Sequence, residues 1–377
     1  MTVPDGRRAR LGPVIAIVVV LIGATVAIAA AVLFLPGLRS ALGLPGGARV
    51  SYANPVLDQD FPDPGVLRTT DGWYYAYATQ SFVDGADVNI QVARSRDLAS
   101  WEHLGDALPE KPGWANTTQD FWAPHVTQRD DRFVMYYSAR PDPLGTTDTD
   151  AGLCLAVATA NAPEGPFTDV GQAFGCGPGF ENIDPMAFRD PRDGRWLLYW
   201  GSGFGPIKVQ ELAADGLSFA AGSSPTTLVE ANCFYDYSCL VEGAWVTYKE
   251  PYYYLYYSGD SCCEPVNYAV LVARSESPTG PFMTLEQSTD EPDSVILEKD
   301  VDWIGPGHNS LVTDASGHEW IVYHAVDVDH FFLDTDDPAE RFVRRPMLIE
   351  PVEYVDGWPR IGDGTPSGAP SPASPQP

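Results

Sequence analysis

The sequence predicts an all-β domain, a five-bladed β-propeller, from three observations. First, five short aromatic segments of the chain resemble one another. They read WYYAYAT (73–79), FVMYYSA (133–139), WLLYWGS (196–202), YYLYYSG (253–259) and EWIVYHA (319–325). Second, a turn-like stretch rich in Asp, Gly, Ser or Pro precedes each segment. Third, the large aromatic residue at the fifth position recurs at intervals of 57 to 66 residues. A strand-rich unit that repeats at near-constant spacing is typical of propeller blades.

A second repeated motif supports this prediction. Asn89–Gly105, Leu153–Phe167 and Tyr268–Phe282 each contain an apolar stretch, an Ala with a small polar pair, a turn and an aromatic residue. We interpret this motif as the next strand and turn within a blade. No long stretch after Leu35 has helical periodicity, so the repeated units consist of strands.

The N-terminal region predicts export of the rest of the chain. An apolar run of 22 residues, Val14–Leu35, follows Arg7, Arg8 and Arg10. About 20 apolar residues suffice to cross a bilayer, and a basic flank favours the cytoplasmic side. We therefore expect residues 1–35 to form a cytoplasmic stub and a transmembrane signal-anchor. A long signal peptide that is cleaved is the alternative, and it exports the rest of the chain equally.

The remaining chain divides by composition into three parts. Residues 36–49 are rich in Gly and Pro and are predicted to be a linker. Residues 50–364 are predicted to form one propeller domain, since an all-β domain can reach this size without splitting. Residues 365–377 contain mainly Pro, Ser, Ala and Gly, and we expect a disordered tail.

The charge of the chain excludes some partners. The formal net charge is −28 at pH 7, and a strongly acidic surface repels nucleic acid and anionic lipid headgroups. Neutral or cationic partners are therefore expected, and we expect a monomer.

The chain contains six cysteines, for which an exported location favours disulfides over a metal site. Cys154 and Cys176 lie in one repeat on either side of a strand-like segment, and Cys233 and Cys239 can close a small loop. Cys262 and Cys263 are adjacent, so they form either a bond with each other or bonds to other partners. Six cysteines allow fifteen pairings, and the sequence leaves the choice open.

Three acidic residues stand apart from the solvated surface charges. Asp63, Asp184 and Glu242 each lie in an apolar or Pro/Gly setting, a short distance before an aromatic segment. The inner strands of a propeller line one axis, so these carboxylates are expected to converge there. Crowded carboxylates push their pKa values apart, which allows one to act as an acid and another as a base.

The motifs around these residues, taken in order, resemble glycoside hydrolase family 43, which comprises five-bladed propeller enzymes acting on arabinose- and xylose-containing polysaccharides. The resemblance covers the chain from about residue 54 to residue 364. The matching motifs are NPVL (54–57), FPDP (61–64), FWAPHV (121–126), IDP (183–185), VEG (241–243) and GPGHNS (305–310).

The resemblance implies an inverting glycosidase. Asp63 would be the general base that deprotonates water, and Glu242 the general acid that protonates the departing oxygen. Asp184 would orient the acid and raise its pKa. Arg345 would contact the sugar, but the family's Gly-Arg-Glu-Thr pattern is missing here and Arg344 is an alternative. The base motif also carries Gly65 where a small hydroxyl residue is usual.

Three further residues have a functional and a structural interpretation. Trp122 either stacks on a sugar face or is a core residue of its blade. His308 either forms hydrogen bonds near the sugar or binds a Ca²⁺ ion on the propeller axis, as in resembling arabinan-cleaving members. Because Ca²⁺ prefers oxygen ligands, one histidine is a weak indication of metal, and no cofactor is expected to be required. His125 is interpreted as structural.

The leading hypothesis is therefore an extracellular hydrolase of α-L-arabinofuranosyl or β-D-xylosyl linkages in a neutral, pentose-containing polysaccharide or oligosaccharide. The resemblance of the Cys154/Cys176 pair and of the Ser261–Cys263 segment to arabinan-cleaving members favours arabinose over xylose. A non-catalytic sugar-binding propeller is the first alternative, although all three carboxylates are present. A retaining propeller hydrolase of the fructan-cleaving type, with one Asp as nucleophile, is the second. The fold alone does not distinguish these three hypotheses.

Overall fold

The structure is a computed structural model that describes residues 52–83, 85–143, 152–201, 203–333, 342–368 and 375. The predicted transmembrane segment Val14–Leu35, the linker 36–49 and most of the predicted tail lie outside these residues. Within the described ranges, no helix reaches the length and apolarity that crossing a bilayer requires.

Five antiparallel sheets of four or five strands make up the domain, which confirms the predicted five-bladed β-propeller. Blade I comprises β1 (Gly65–Arg68), β2 (Tyr74–Ala78), β5 (Gln91–Ser95) and β6 (Trp101–Asp106), with a hairpin of β3 (Ser81–Val83) and β4 (Ala86–Val88) inserted. Blade II comprises β7 (Phe121–Arg129), β8 (Arg132–Ala139), β9 (Cys154–Ala160), β10 (Thr168–Asp169) and β11 (Gly175–Cys176). Blade III comprises β12 (Met186–Arg189), β13 (Trp196–Trp200), β14 (Ile207–Glu211) and β15 (Thr226–Val229).

The last two blades complete the ring. Blade IV comprises β16 (Val241–Lys249), β17 (Tyr252–Ser261), β18 (Asn267–Ser275), β19 (Met283–Thr284) and β20 (Val295–Leu297), with a one-turn helix α1 (Leu285–Ser288). Blade V comprises β21 (Trp303–Thr313), β22 (Glu319–Asp327), β23 (Met347–Val355) and β24 (Trp358–Ile361).

The repeated aromatic segments form the second strand of every blade, namely β2, β8, β13, β17 and β22. The aromatic residues at their fifth positions are all buried, and they are Tyr77, Tyr137, Trp200, Tyr257 and Tyr323. These strands lie inside their sheets and between neighbouring blades, which explains their nearly continuous apolar character. The second motif contains β5, β9 and β18, the third strands of blades I, II and IV, as predicted.

Apolar residues fill the contacts between blades. Five hydrophobic clusters are found among the described residues, one for each blade–blade contact including that between blades V and I. In the last of these, Trp320 and Val322 of blade V pack with Val66 and Tyr74 of blade I. The ring is therefore closed by the same kind of side-chain packing that holds its other blades together.

The chain preceding blade I adds hydrogen bonds to this closure. The backbone N–H of Val56 donates to the carbonyl of Met347 at 2.9 Å, and that of Phe61 donates to the carbonyl of Arg345 at 3.0 Å. The amide nitrogen of Asn54 donates to the carboxylate of Glu350 at 2.9 Å. Segments near the two ends of the domain are thus joined beside blade V.

The described C-terminal residues extend past Gly364, the predicted end of the domain. The hydroxyl of Ser367 donates to Glu350 at 2.6 Å, and its backbone N–H donates to the same carboxylate at 2.8 Å. Hydrogen bonds to the domain therefore reach at least to Ser367. These donors offset the cost of burying the Glu350 carboxylate.

Three disulfides use all six cysteines. The Cys154–Cys176 bond joins β9 to β11, whose register places the two residues opposite each other. The bond between Cys233 and Cys239 closes the small loop before blade IV. Cys262 and Cys263 bond to each other, which decides the alternative that the sequence left open.

Candidate active site

A cleft with a volume of about 730 Å³ opens at the propeller axis. Among its lining residues are Asp63, Asp184, Glu242, His308 and Arg345. These residues come from blades I, III, IV and V and span most of the domain sequence, so the fold brings together the three carboxylates that were expected to converge. A concave site lined with convergent ionisable groups is the usual form of an active site.

One backbone feature, repeated in every blade, positions these residues near the axis. The inner chain of each blade has a positive φ near the axis, of 58° at Asp63, 48° at Ala123, 58° at Asp184, 62° at Gly243 and 46° at His308. In β7, β16 and β21 the strand register also shifts at this place. Such bulges redirect side chains, and they are frequent beside active sites.

This feature shows that the three carboxylates are not all equivalent. Asp63 and Asp184 occupy the positive-φ position of their blades, whereas Gly243 occupies it in blade IV and Glu242 precedes it. In blade II the residue matching Glu242 is Trp122, since each pairs with a serine of the second strand, Ser258 and Ser138 respectively. The acidic side chain of blade IV therefore starts from a different backbone position than the other two.

A ring of hydrogen bonds between neighbouring blades fixes these backbone positions. Each positive-φ residue donates its backbone N–H to a side chain of the preceding blade. The five bonds are Ala123 to Thr79 (2.8 Å), Asp184 to Ser138 (3.0 Å), Gly243 to Asp184 (2.9 Å), His308 to Ser258 (2.7 Å) and Asp63 to His324 (3.1 Å). Four of the acceptors lie in the second strand of their blade or directly after it. In blade III, Gly201 at the matching place lacks a side chain, and the carboxylate of Asp184 is the acceptor instead. Hydrogen bonds between the blades thus fix the backbone that carries the candidate site residues.

Asp63 is surrounded by groups that favour its ionised form. Its Oδ1 lies 3.1 Å from Nη1 of Arg345, 3.4 Å from Nδ1 of His308 and 3.3 Å from Nδ1 of His324. The hydroxyl of Thr79 donates to its other carboxylate oxygen. Burial alone would raise the pKa of Asp63, but the Arg345 guanidinium, and after it His308, hold this pKa well below its usual range. Asp63 is therefore ionised at neutral pH.

Glu242 and Asp184 have the opposite electrostatic behaviour. Burial raises the pKa of Glu242 to about 7, although a hydrogen bond of 2.7 Å from the Tyr268 hydroxyl favours its ionised form. Burial and the neighbouring Glu242 carboxylate raise the pKa of Asp184 well above its usual range. Because two buried carboxyls that interact strongly resist losing both protons, the pair can keep a proton at neutral pH.

His324 and Tyr268 contribute to the site, and the sequence analysis missed both. His324 is fully buried, its ring stacks on that of Tyr268 at a centroid distance of 5.8 Å, and burial lowers its pKa to about 4. The imidazole is therefore neutral, and its Nδ1 accepts the backbone N–H of Asp63. A signal was available, because the sixth residue of the repeated aromatic segment is polar in EWIVYHA, FVMYYSA and YYLYYSG.

Trp122 lines the cleft rather than the core of its blade. Its ring stacks against that of Phe180 at a centroid distance of 6.0 Å and an interplanar angle of 15°. Phe180 itself is 47% exposed. This aromatic pair, in which Trp122 is half-buried and Phe180 exposed, forms an apolar surface on the blade II side of the cleft, of the kind that suits the C–H face of a sugar.

The remaining predicted residues have clear contacts. Arg345 points to Asp63, whereas Arg344 forms an ion pair with the exposed Asp58 and is absent from the cleft lining. The buried His125 accepts the backbone N–H of Ala187 through Nδ1 at 3.3 Å, a contact that fits its structural interpretation.

The donor set around His308 does not fit a calcium cage made of protein side chains. No group of three or more His, Cys, Asp or Glu side chains in the described ranges is arranged to hold a metal ion. A cavity of about 20 Å³ lies on the axis beside His308 and Asn309, room for about one water molecule. Since Ca²⁺ takes six to eight oxygen ligands, the predicted calcium site lacks a matching set of residues and stays a prediction.

The chain is similar in sequence to known glycosyl hydrolases, in agreement with a cleft lined by carboxylates. The model of the glycosyl hydrolases family 43 matches residues 52–359. A probable arabinan endo-1,5-alpha-L-arabinosidase A of Aspergillus flavus is 27% identical over 329 residues, 82% of this chain and 94% of its own length. An extracellular exo-alpha-(1->5)-L-arabinofuranosidase of Cellvibrio japonicus is 24% identical and covers 83% of this chain and 89% of its own length.

Among solved structures, a thermostable family-43 glycoside hydrolase is 29% identical, with a TM-score of 0.67, covering 86% of this chain and 99% of its own. The family resemblance inferred from the order of motifs is thereby confirmed, because the family model spans nearly all of the propeller. The chain belongs to the glycosyl hydrolases of family 43, and it is a glycosidase.

Proposed function

We propose that this glycosidase hydrolyses α-L-arabinofuranosyl or β-D-xylosyl linkages with inversion of the anomeric configuration. The observation that carries the proposal is the division of the pKa values in one cleft. The pKa of Asp63 lies well below its usual range, while that of Glu242 is raised to about 7. One carboxylate is thus suited to act as a base and the other as an acid near neutral pH.

The reaction follows from these two states. Ionised Asp63 accepts a proton from a water molecule as its oxygen forms a bond to the anomeric carbon. The bond from that carbon to the leaving oxygen breaks, and protonated Glu242 donates its proton to this oxygen. Asp184, whose Oδ2 accepts the N–H of Gly243 next to the acid, holds this part of β16 in place.

Substrate binding is assigned to the groups around this reaction centre. Trp122 offers its ring to a sugar face, and its stacking on Phe180 fixes the orientation of that ring. His308, largely buried beside Asp63, provides an imidazole edge to the sugar hydroxyls. Arg345 primarily orients and ionises Asp63, because its guanidinium contacts that carboxylate at 3.1 Å.

We further propose that the substrate is an arabinan-type polysaccharide or oligosaccharide outside the cell. One relative is named as a probable arabinan endo-1,5-alpha-L-arabinosidase, and another as an extracellular exo-alpha-(1->5)-L-arabinofuranosidase. Three disulfides and the basic, then apolar, N-terminal sequence fit an exported, membrane-anchored or secreted protein. The enzyme is expected to be a monomer that requires no cofactor.

The test is turnover by the chain from Val50 onward on p-nitrophenyl α-L-arabinofuranoside, p-nitrophenyl β-D-xyloside, arabinan and arabinoxylan. Glu242→Gln and Asp63→Asn are each expected to lower kcat by about 10²- to 10⁴-fold, as for loss of a general acid or base. NMR of the first-formed product is expected to show the inverted anomer.

Other outcomes would support the alternatives. Retention of configuration would indicate a retaining hydrolase with an Asp nucleophile. A folded protein that binds arabino-oligosaccharides and turns over none of the four substrates would indicate a non-catalytic sugar-binding propeller.

A further inference from the structure

The disulfide between the adjacent residues Cys262 and Cys263 lies in the wall of the active-site cleft. Both cysteines line the same cleft as Asp63 and Glu242. Cys262 is half-buried and Cys263 is exposed, so the sulfur atoms belong to the surface that a ligand in the cleft would meet. Neither Cys233 nor Cys239, the other disulfide of this region, lines the cleft.

The loop that carries this disulfide is held in position by hydrogen bonds. It joins β17 to β18, and it follows Asp260, whose φ is 64°. The carboxylate of Asp260 accepts the backbone N–H of Cys239 at 3.0 Å and the side-chain amide of Asn267 at 3.0 Å. The hydroxyl of Ser261 donates to the carbonyl of Cys263 at 2.7 Å. The disulfide therefore has a fixed place before any ligand arrives, which lowers the entropy cost of binding.

A role in stabilising the fold does not explain this bond. In the loop-closure account, a disulfide stabilises a protein by closing a loop of the unfolded chain, and more so for longer loops. Cys154–Cys176 and Cys233–Cys239 span separations of 22 and 6 residues, whereas Cys262–Cys263 spans 1. It joins no separate parts of the chain, and it creates a compact, apolar pair of sulfur atoms at the surface of a cleft.

The position of the Cys262–Cys263 disulfide in the ring of blades relates it to the proposed acid, Glu242. The disulfide belongs to blade IV, the blade whose β16 carries Glu242. Blade II, which carries Trp122, is two blades away, nearly opposite across the axis of a five-membered ring. The cleft thus has an aromatic wall on one side and a sulfur-containing wall on the side of the proposed acid.

We propose that the Cys262–Cys263 disulfide forms the apolar wall of a sugar subsite. This subsite lies on the leaving-group side of the cleavage point and binds the C–H face of a pentose unit in an oligosaccharide. Sulfur is polarisable and packs well against irregular apolar surfaces, and sugar sites combine such surfaces with a few polar groups. This inference rests on the proposed function, because it takes Glu242 as the group that protonates the leaving oxygen.

The first test compares Cys262→Ser/Cys263→Ser with Cys154→Ser/Cys176→Ser as a matched control, since the latter disulfide belongs to blade II and lies outside the cleft lining. KM and kcat are measured for arabinobiose to arabinohexaose and for p-nitrophenyl α-L-arabinofuranoside. The Cys262/Cys263 variant is expected to raise KM for the longer oligosaccharides about tenfold, equivalent to about 1.4 kcal/mol, and more than for the aryl glycoside. The control variant should keep the wild-type ratio of these KM values. A wild-type ratio in both variants would overturn the proposal.

A second test needs no cysteine variant to fold. The Glu242→Gln protein is treated with a phosphine reductant, then alkylated, and the three disulfides are followed by peptide mass spectrometry. Arabinohexaose is expected to slow reduction of Cys262–Cys263 at least threefold and to leave Cys233–Cys239 unaffected. Equal rates with and without the oligosaccharide would reject the subsite. Failure of the wild-type enzyme to cleave any substrate would instead reject the proposed function, and protection of the disulfide would still be measurable.

Discussion

The backbone N–H of Asp63 donates to Nδ1 of His324 at 3.1 Å, across 261 residues of sequence. His324 is fully buried, and its pKa is lowered to about 4 by burial, so its imidazole stays neutral and its Nδ1 remains an acceptor over the working pH range. The proposed base therefore owes its position to a histidine that does not itself titrate near neutral pH.

Replacing this acceptor tests His324 as a positioning residue. His324→Phe keeps a planar ring against Tyr268 but removes the acceptor, and we expect kcat to fall about 10- to 100-fold, a part of the contribution of a general base. KM should change much less than kcat, because the lost hydrogen bond positions the backbone of the proposed base and not the sugar. His324→Asn, whose amide oxygen can accept the same N–H, should recover most of the lost rate. Equal losses in the Phe and Asn variants would show that the histidine ring is only structural.

Arg345 is expected to set the pH at which the base becomes active. Its guanidinium is the strongest influence lowering the pKa of Asp63. Arg345→Met should raise this pKa, and since a base works only when ionised, activity should be lost at a higher pH on the acidic side. The pH dependence of kcat/KM measures this shift directly. Arg344→Met, which removes the surface pair with Asp58, is the matched control and should leave the acidic limb in place.

The decline of kcat/KM on the alkaline side of the pH profile should reflect deprotonation of Glu242. Because a general acid works only when protonated, and the pKa of Glu242 is about 7, kcat/KM should decline above about that pH. Glu242→Gln should abolish this decline, and its rate loss should be smaller for a dinitrophenyl than for a p-nitrophenyl glycoside, since a better leaving group needs less protonation. Glu102→Gln removes an exposed pair with Arg94 and serves as the control. Equal losses for both leaving groups would contradict the assignment.

The same carboxyl is expected to destabilise the fold at alkaline pH. The folded-state pKa of Glu242, about 7, exceeds the ordinary pKa of 4.5 for a glutamate, so the folded state holds this proton more tightly than the unfolded one. Stability is therefore fully present below the unfolded pKa and declines as pH rises through the folded pKa. Glu242→Gln removes this penalty, on the order of 3 kcal/mol above pH 7. Calorimetry should show a Tm gain of a few degrees at pH 8 and little gain at pH 5, and a pH-independent difference would contradict the raised pKa.

The sequence predicted the blades well because each blade is a local unit. The aromatic second strands are buried between neighbouring sheets, so their pattern reports directly on their place in the fold. The three carboxylates were found for the same reason, as each precedes or begins the inner strand of its blade. The offset of Glu242 from the position of Asp63 and Asp184 was not predictable, because it depends on a bulge whose place is visible only in backbone angles.

The residues that the sequence analysis missed share one physical property. His324 and Tyr268 lie within apolar strands, where a single polar or aromatic residue looks like part of the core. The contact of His324 with Asp63 exists only in the closed ring, whereas the contact of Tyr268 with Glu242 forms only when β16 and β18 assemble on either side of β17. The pairing of Cys262 with Cys263 was likewise open, since adjacency in sequence does not show whether another cysteine lies closer.

The closure of the ring also determines when the protein can become active during its synthesis. Asp63 lies near the start of the domain, yet its contacts with His324 and Arg345 come from residues 261 and 282 positions later. A ribosome completes the N-terminal blades first, so the base remains without its imidazole and guanidinium partners until almost the whole chain has been made. The surroundings of the proposed base are therefore completed last, and a nascent chain that lacks blade V is expected to lack a functional base.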